Sequence, residues 1–307
     1  MPVKMVKRSG RIAIAVALVP LALTACSKNG QSTAPAAVYS VNFSPSFKIG
    51  QKFSLVSEVS EKNHSRILLN LAGVPTPQND YRDLEFSGRI AGEGEILGVF
   101  PNGGIQKMAL LIQTFDAAKD GVGIPKLPVA GTKIIASREG SKIAISVDGQ
   151  AADATVTAAI NEFLPLDDEK YSLQELYGPP KPVSVGADWP INSVGLGNSL
   201  VDSGIAAEAN GARGNMKFES IKDGIETLSG IFTIDSFKLP LPTTMTIDSG
   251  TITVSLSCQI PISTVNGKLK VIKSLSTKTQ AHGEVSGANM KLEITGQQTR
   301  ETSISLH

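Results

Sequence analysis

The sequence is poor in the residues that most catalysis and recognition use. Aromatic residues make up 5% of its 307 positions, with a single tryptophan, Trp189, which argues against an extensive aromatic binding surface. Histidine occurs three times, at His64, His282 and His307, with no two close in sequence. There is no H-E-x-x-H pair to hold zinc, no G-x-S-x-G nucleophile elbow and no Walker loop. The formal net charge is +1, so no basic bias points to nucleic acid as a partner. Hydrophobic residues at 41% against 19% charged are enough for a packed core and exclude wholesale disorder. The length allows one large β domain or two smaller ones.

The remaining candidates for chemistry read as structure. Gly92-Glu93-Gly94-Glu95-Ile96-Leu97-Gly98 misses the G-x-G-x-x-G spacing, and its glutamates would repel phosphate; a glycine-bent strand is expected. Asp167-Asp168-Glu169 could attract a cation but has the form of a solvated loop. His64 sits in the polar stretch Glu61–Ser65, His282 at a turn or strand start, and His307 at the chain end. No catalytic residue, metal ligand or cofactor site is expected.

The N-terminus carries the most specific signal. Lys4, Lys7, Arg8 and Arg11 precede an apolar run of 12 residues, Ile12 to Leu23. That run suits a secretory signal and is short for a membrane span. It ends in Leu23-Thr24-Ala25-Cys26, which resembles the lipobox of bacterial lipoprotein precursors. The resemblance implies that residues 1–25 are a signal peptide removed in the mature protein and that Cys26 is lipidated. The mature chain would then carry 25 Lys and Arg against 28 Asp and Glu, a net charge of −3. Such a body has no electrostatic reason to lie on anionic lipid, and attachment would come from the acyl chains. Ser27 follows the cysteine in place of the Asp that marks inner-membrane retention, so the resemblance implies the outer membrane of a diderm host. Residues 26–40, rich in Ser and Ala with Gly30, Gln31 and Pro35 among them, read as a lipidated flexible tether. Cys258 is then left alone and no internal disulfide can form.

The body reads as mainly β. In Thr251 to Ile262, Ile252, Val254, Leu256, Cys258, Ile260 and Ile262 alternate with polar residues, the period-2 pattern of a half-buried antiparallel strand. This places Cys258 on the apolar face, where a thiol is inert. Asn102-Gly103-Gly104, Glu139-Gly140, Asp223-Gly224 and Asn266-Gly267 separate further alternating runs and read as tight turns. Val156, Ala159, Ile160, Phe163 and Leu164 fall at helical spacing, which predicts one helix over 154–164 with Asp153 as its N-cap. Ser172-Leu173-Gln174-Glu175 has the form of a capping box and allows a second short turn.

Gly178-Pro179-Pro180 separates an N-terminal β half, 41–178, from a C-terminal β half, 179–307. The halves share features that suggest internal duplication. Phe47-Lys48-Ile49-Gly50-Gln51-Lys52-Phe53 opens the first, and Val183-Ser184-Val185-Gly186-Ala187-Asp188-Trp189 opens the second in the same pattern. Lys126-Leu127-Pro128 recurs as Lys238-Leu239-Pro240. The expected fold is a two-part antiparallel sheet, half-barrel or sandwich, with one short helix near the middle. Lipobox, tether and long strands with a G-x-x-[FW] opening in each half resemble mainly-β envelope lipoprotein families with no assigned activity. That resemblance implies a membrane-anchored, non-catalytic binding or scaffolding module facing the periplasm, with an envelope protein or a hydrophobic ligand as partner. Two alternatives stay open: a carrier of lipid in an apolar cavity, and an envelope hydrolase with a scattered site.

Overall fold

Alternating runs become strands, and Asn102-Gly103-Gly104, Glu139-Gly140 and Asp223-Gly224 become turns between them, in the computed structural model, which describes residues 37–43, 47–70, 78–140, 142–167, 169–202, 206–207, 211–235, 237–238, 244–262, 267–285 and 288–307. The expected signal segment, Cys26 and the tether as far as residue 36 lie outside the described residues, as do Asp168, Asn266, Leu239 and Pro240. The first half supplies β1 (Val38–Tyr39), β2 (Lys52–Asn70), β3 (Gln78–Val99), β4 (Ile105–Lys119), β5 (Val122–Gly123), β6 (Lys133–Glu139), β7 (Lys142–Val147) and β8 (Gln150–Ala151). Helices α1 (Ala154–Asn161) and α2 (Leu173–Tyr177) follow. The second half holds β9 (Val183–Ser184), β10 (Asp188–Pro190), helix α3 (Ser193–Asp202), β11 (Ala206–Ala207), β12 (Ala212–Lys222), β13 (Ile225–Ile234), β14 (Phe237–Lys238), β15 (Met245–Pro261), β16 (Lys268–Val285) and β17 (Ala288–Leu306). The last residues of the expected tether are engaged, since β1 pairs with β9.

Thirteen strands form one antiparallel sheet, ordered β10-β12-β13-β15-β16-β17-β2-β3-β4-β6-β7-β8 with β5 beside β4. β10 and β8 remain as edges, so the sheet does not close into a barrel. The strands of this sheet run as two meanders laid side by side. The first runs outward from the centre at β2; the chain crosses to the far edge at β10, and the second runs back to the centre. They join where β17 pairs with β2, from Asn289 opposite Asn70 to Leu306 opposite Phe53. The matching openings have matching geometry. Gly50 and Gly186 adopt φ of 83° and 87°, a region open to glycine at little cost. Their N–H groups donate to the carbonyls of Ile96 and Phe218, and Gln51 and Ala187 donate back to Lys48 and Ser184. Each turn delivers a buried aromatic residue, Phe53 or Trp189, to the start of a strand.

One face of the sheet is the core face. Ile252, Val254, Leu256, Cys258 and Ile260 of β15 are all buried and the residues between them are not. Ile262 departs from the expected alternation: it lies past the strand end and is exposed. On β2 the inward residues are Phe53, Leu55, Ser57 and Val59, and on β17 they include Leu306, Ile304 and Thr302. The buried hydroxyls of Ser57 and Thr302 satisfy each other at 3.2 Å. The opposite face carries exposed ion pairs such as Arg89–Glu58 at 2.9 Å and Lys270–Glu301 at 2.6 Å, each worth at most about 1 kcal/mol.

The glycine-rich segment is a bent strand, as its sequence suggests. Pairing of β3 with β4 slips between Ala91 and Gly92 and on both sides of Gly98, and such bulges add curvature and twist. A Cβ at Gly94 would strike the Phe53 ring and stand 2.6 Å from the Ala109 carbonyl oxygen. Glycine here lets the aromatic ring lie flat on the inner face.

The helical segment covers part of that face. Asp153 caps α1, its side chain accepting from the Val156 N–H at 2.8 Å. Ser172 caps α2 by accepting from Glu175 N–H at 3.0 Å. Phe163 packs against Phe86 and Phe115 of the first half, and Tyr177 stacks on Phe232 of the second. The Trp189 indole donates to the Tyr177 carbonyl at 2.7 Å. Two expectations need correction. The helix expected over 154–164 ends at Asn161, and Phe163 and Leu164 are buried in the turn beyond it. There are three helices among the described residues, not one; Gly195 and Gly197 inside α3 hide its helical pattern, while Leu196 anchors it in the core.

Two stability changes follow from these contacts. Gly94→Val is expected to cost about 2–3 kcal/mol through overpacking against Phe53 and the β4 backbone, read as a lowered urea midpoint; an unchanged midpoint would contradict the flat-ring packing. Glu226, on the inner side of β13 and 6% exposed, has its carboxyl raised above the usual range by burial. The folded state therefore holds this proton more tightly than the unfolded chain. The stability this provides is complete below the ordinary Glu range and is lost as pH rises through the raised folded value. Glu226→Gln should raise Tm at pH 7, with a gain that shrinks on acidification to pH 3.

Candidate functional site

The inner layer leaves a cavity of about 220 Å³ over strands β16 and β17. Alternation builds its floor: Leu269, Val271 and Lys273 on β16 face it together with Ile304, Thr302 and Arg300 on β17. Register places these as cross-strand pairs, Leu269 opposite Ile304, Val271 opposite Thr302 and Lys273 opposite Arg300. Phe43 and Phe47 form one wall, and Leu164 to Asp167 with Leu173 form the other.

The walls are held by hydrogen bonds from separate elements. The Phe43 N–H donates to the Gln174 side chain on α2 at 2.8 Å. Asp167 pairs with the start of β4, its carboxylate accepting from Ile105 N–H at 2.7 Å and its own N–H donating to the Ile105 carbonyl at 3.0 Å. Arg300 donates to the Leu164 carbonyl at 2.7 Å. The space is thus framed by fixed backbone.

One end of the cavity is charged, and the pairing register shows how unusual that is. On the rung that crosses the sheet at this height, Trp189, Met216, Gly230 and Leu256 lie on one side of the centre. Val59, Gly88 and Ala117 lie on the other. The two central places are Lys273 and Arg300, joined to the rung through Leu256 and Val59. Burial holds the Lys273 amine below its ordinary value, and the Arg300 charge lowers it further. Burial likewise lowers Arg300, with Glu162 acting in the opposite sense. The Glu162 carboxyl is raised, first by burial, with Arg300 opposing and Glu61 adding to the shift. The Lys273 side chain is exposed to solvent through the cavity. It has no hydrogen-bond or ion-pair partner among the described residues.

The residues singled out in the sequence do not converge. His64 pairs with Asp83 on the exposed face, His282 with Asp248 at 2.5 Å, and His307 meets Ser54 at 2.7 Å; these stand on different strand pairs. Asp167 serves the β4 backbone as described. Among the described residues no group of three or more His, Cys, Asp or Glu side chains is placed to hold a metal ion. Lys273 and Arg300 were not among the sequence candidates, although their signal is in the sequence: Lys273 interrupts the apolar series Leu269, Val271, Leu275.

Cys258 is 2% exposed, and burial pushes its thiol up to about 12. A thiol so placed is a poor nucleophile at neutral pH. Iodoacetamide should leave Cys258 unmodified in the folded protein at pH 8 and alkylate it fully in 8 M urea; rapid native labelling would show the strand to be turned over.

No protein-family model matches the chain, and no curated protein matches it in sequence. Among solved structures, a lipovitellin described for its lipid–protein interactions is similar over 82% of this chain and 25% of its own, at 13% identity and a TM-score of 0.29. The secretin InvG of the Salmonella SPI-1 type III secretion injectisome is similar over 84% of this chain and 64% of its own, at 9% identity and a TM-score of 0.18. The chain thus spans a quarter of the lipovitellin chain and under two thirds of the secretin chain.

Proposed function

We propose that this chain is an envelope lipoprotein, anchored in the outer membrane by acyl chains on Cys26, whose body is a non-catalytic carrier of a lipid or other hydrophobic ligand. The observation that supports a carrier over a scaffold is the framed apolar cavity above β16 and β17. Protein interiors are packed with few voids larger than a water molecule. A volume of about 220 Å³ is close to that of seven waters in the liquid. Its Leu269, Val271, Ile304, Phe43 and Phe47 sides offer water few partners. It is below the range of drug-sized pockets and suits part of one chain of a lipid rather than a whole one. The anchor is supported by the basic start, the apolar run and Leu23-Thr24-Ala25-Cys26 acting together.

Both parts can be tested on the full chain. Organic extraction of the purified protein should release acyl lipid at near-stoichiometric amounts, and Val271→Phe, which fills the cavity, should abolish it. A clean extract, together with no uptake of a fluorescent fatty acid, would remove the carrier reading. Separately, Cys26→Ser should abolish covalent labelling by radiolabelled palmitate on a denaturing gel and release the protein from membranes. Unchanged labelling and fractionation would remove the anchor.

A further inference from the structure

Resting on the carrier reading, we infer that the ligand is an anionic amphiphile whose carboxylate or phosphate head sits between Lys273 and Arg300, with its tail along the floor toward Leu269 and Ile304. Two like charges directly opposite on one sheet face repel, and Lys273 meets that repulsion with only solvent around its amine. Arg300 is partly compensated: it donates to the Leu164 carbonyl and feels the Glu162 carboxyl. Lys273 has neither kind of support. The other carboxylate at the cavity, Asp167, is engaged by the Ile105 N–H. A leucine or methionine at 273 would continue the apolar series of β16, so architecture alone does not require a cation there. An anion placed above the pair removes the repulsion and satisfies both groups, and charge-assisted hydrogen bonds of this kind are the strong ones.

The apolar floor begins directly beside the cations. From Arg300 through Thr302 to Ile304 the strand advances about 14 Å, and every inward residue after Thr302 is apolar. The site therefore pairs a charged end with an oily end, and neither a free small anion nor a neutral lipid uses both.

The test compares two probes of equal length on the full chain, purified in a non-ionic detergent at pH 8: 11-(dansylamino)undecanoic acid and the matching undecanol. The acid is expected to bind about tenfold more tightly, one charge-assisted contact's worth. Lys273→Met should erase this difference, and Lys273→Arg should keep it, which separates loss of charge from loss of folding. Acid and alcohol binding equally well to the native protein would overturn the anionic head while leaving the carrier reading standing. Neither probe binding would overturn the carrier reading itself. Inorganic phosphate or acetate displacing the acid as well as an unlabelled fatty acid does would identify a free-anion site and overturn the amphiphile.

Discussion

A sheet of thirteen strands with one apolar face must keep that face from water, and the helices, bulges and inner glycines of this molecule answer that requirement. Full closure would do so, but β10 and β8 remain as edges. The three short helices among the described residues cannot cover the whole face, because α1 spans about 12 Å at 1.5 Å per residue while β2, β3 and β17 each extend for about 60 Å or more. Curvature supplies the rest. Bulges in β3 and glycines on its inner side bend the sheet, so that Phe163 packs on the first half and Tyr177 on the second within one core. The cavity is where this covering stops short.

The cation pair is the point at which local energetics and the fold disagree. The rung through Lys273 and Arg300 is apolar or glycine at every other paired position from Trp189 to Ala117. Stability would be served by continuing it. Natural sequences depart from such consistency mainly where function intervenes, and this departure lies beside the framed apolar space.

Much of this architecture could be read from short-range pattern. The β15 alternation, the Asp223-Gly224 turn with both φ angles positive, the Asp153 cap and the twin Gly50 and Gly186 openings each depend on a few neighbouring residues. What could not be read depends on partners far away in the chain. Nothing in the β2 sequence names β17 as its neighbour, so the sequence alone does not say that both halves share one sheet. Lys273 looks like any surface lysine until the register sets it against Arg300. Helix α3 was hidden by two glycines whose helical state is imposed by packing around Leu196.

The seam between β2 and β17 has a consequence for how the chain comes to be folded at all. Ser54 and His307, in contact at 2.7 Å, stand 253 residues apart in sequence. As the polypeptide is made, β3 can pair with β2 and β4 with β3 early, but the other edge of β2 must wait for β17. A long, unpaired edge is a template for association with another chain, and pairings of such high sequence separation form slowly. That edge of β2 therefore stays open until β17 has been made, and removal of β17 alone would expose two strand edges at the middle of the sheet.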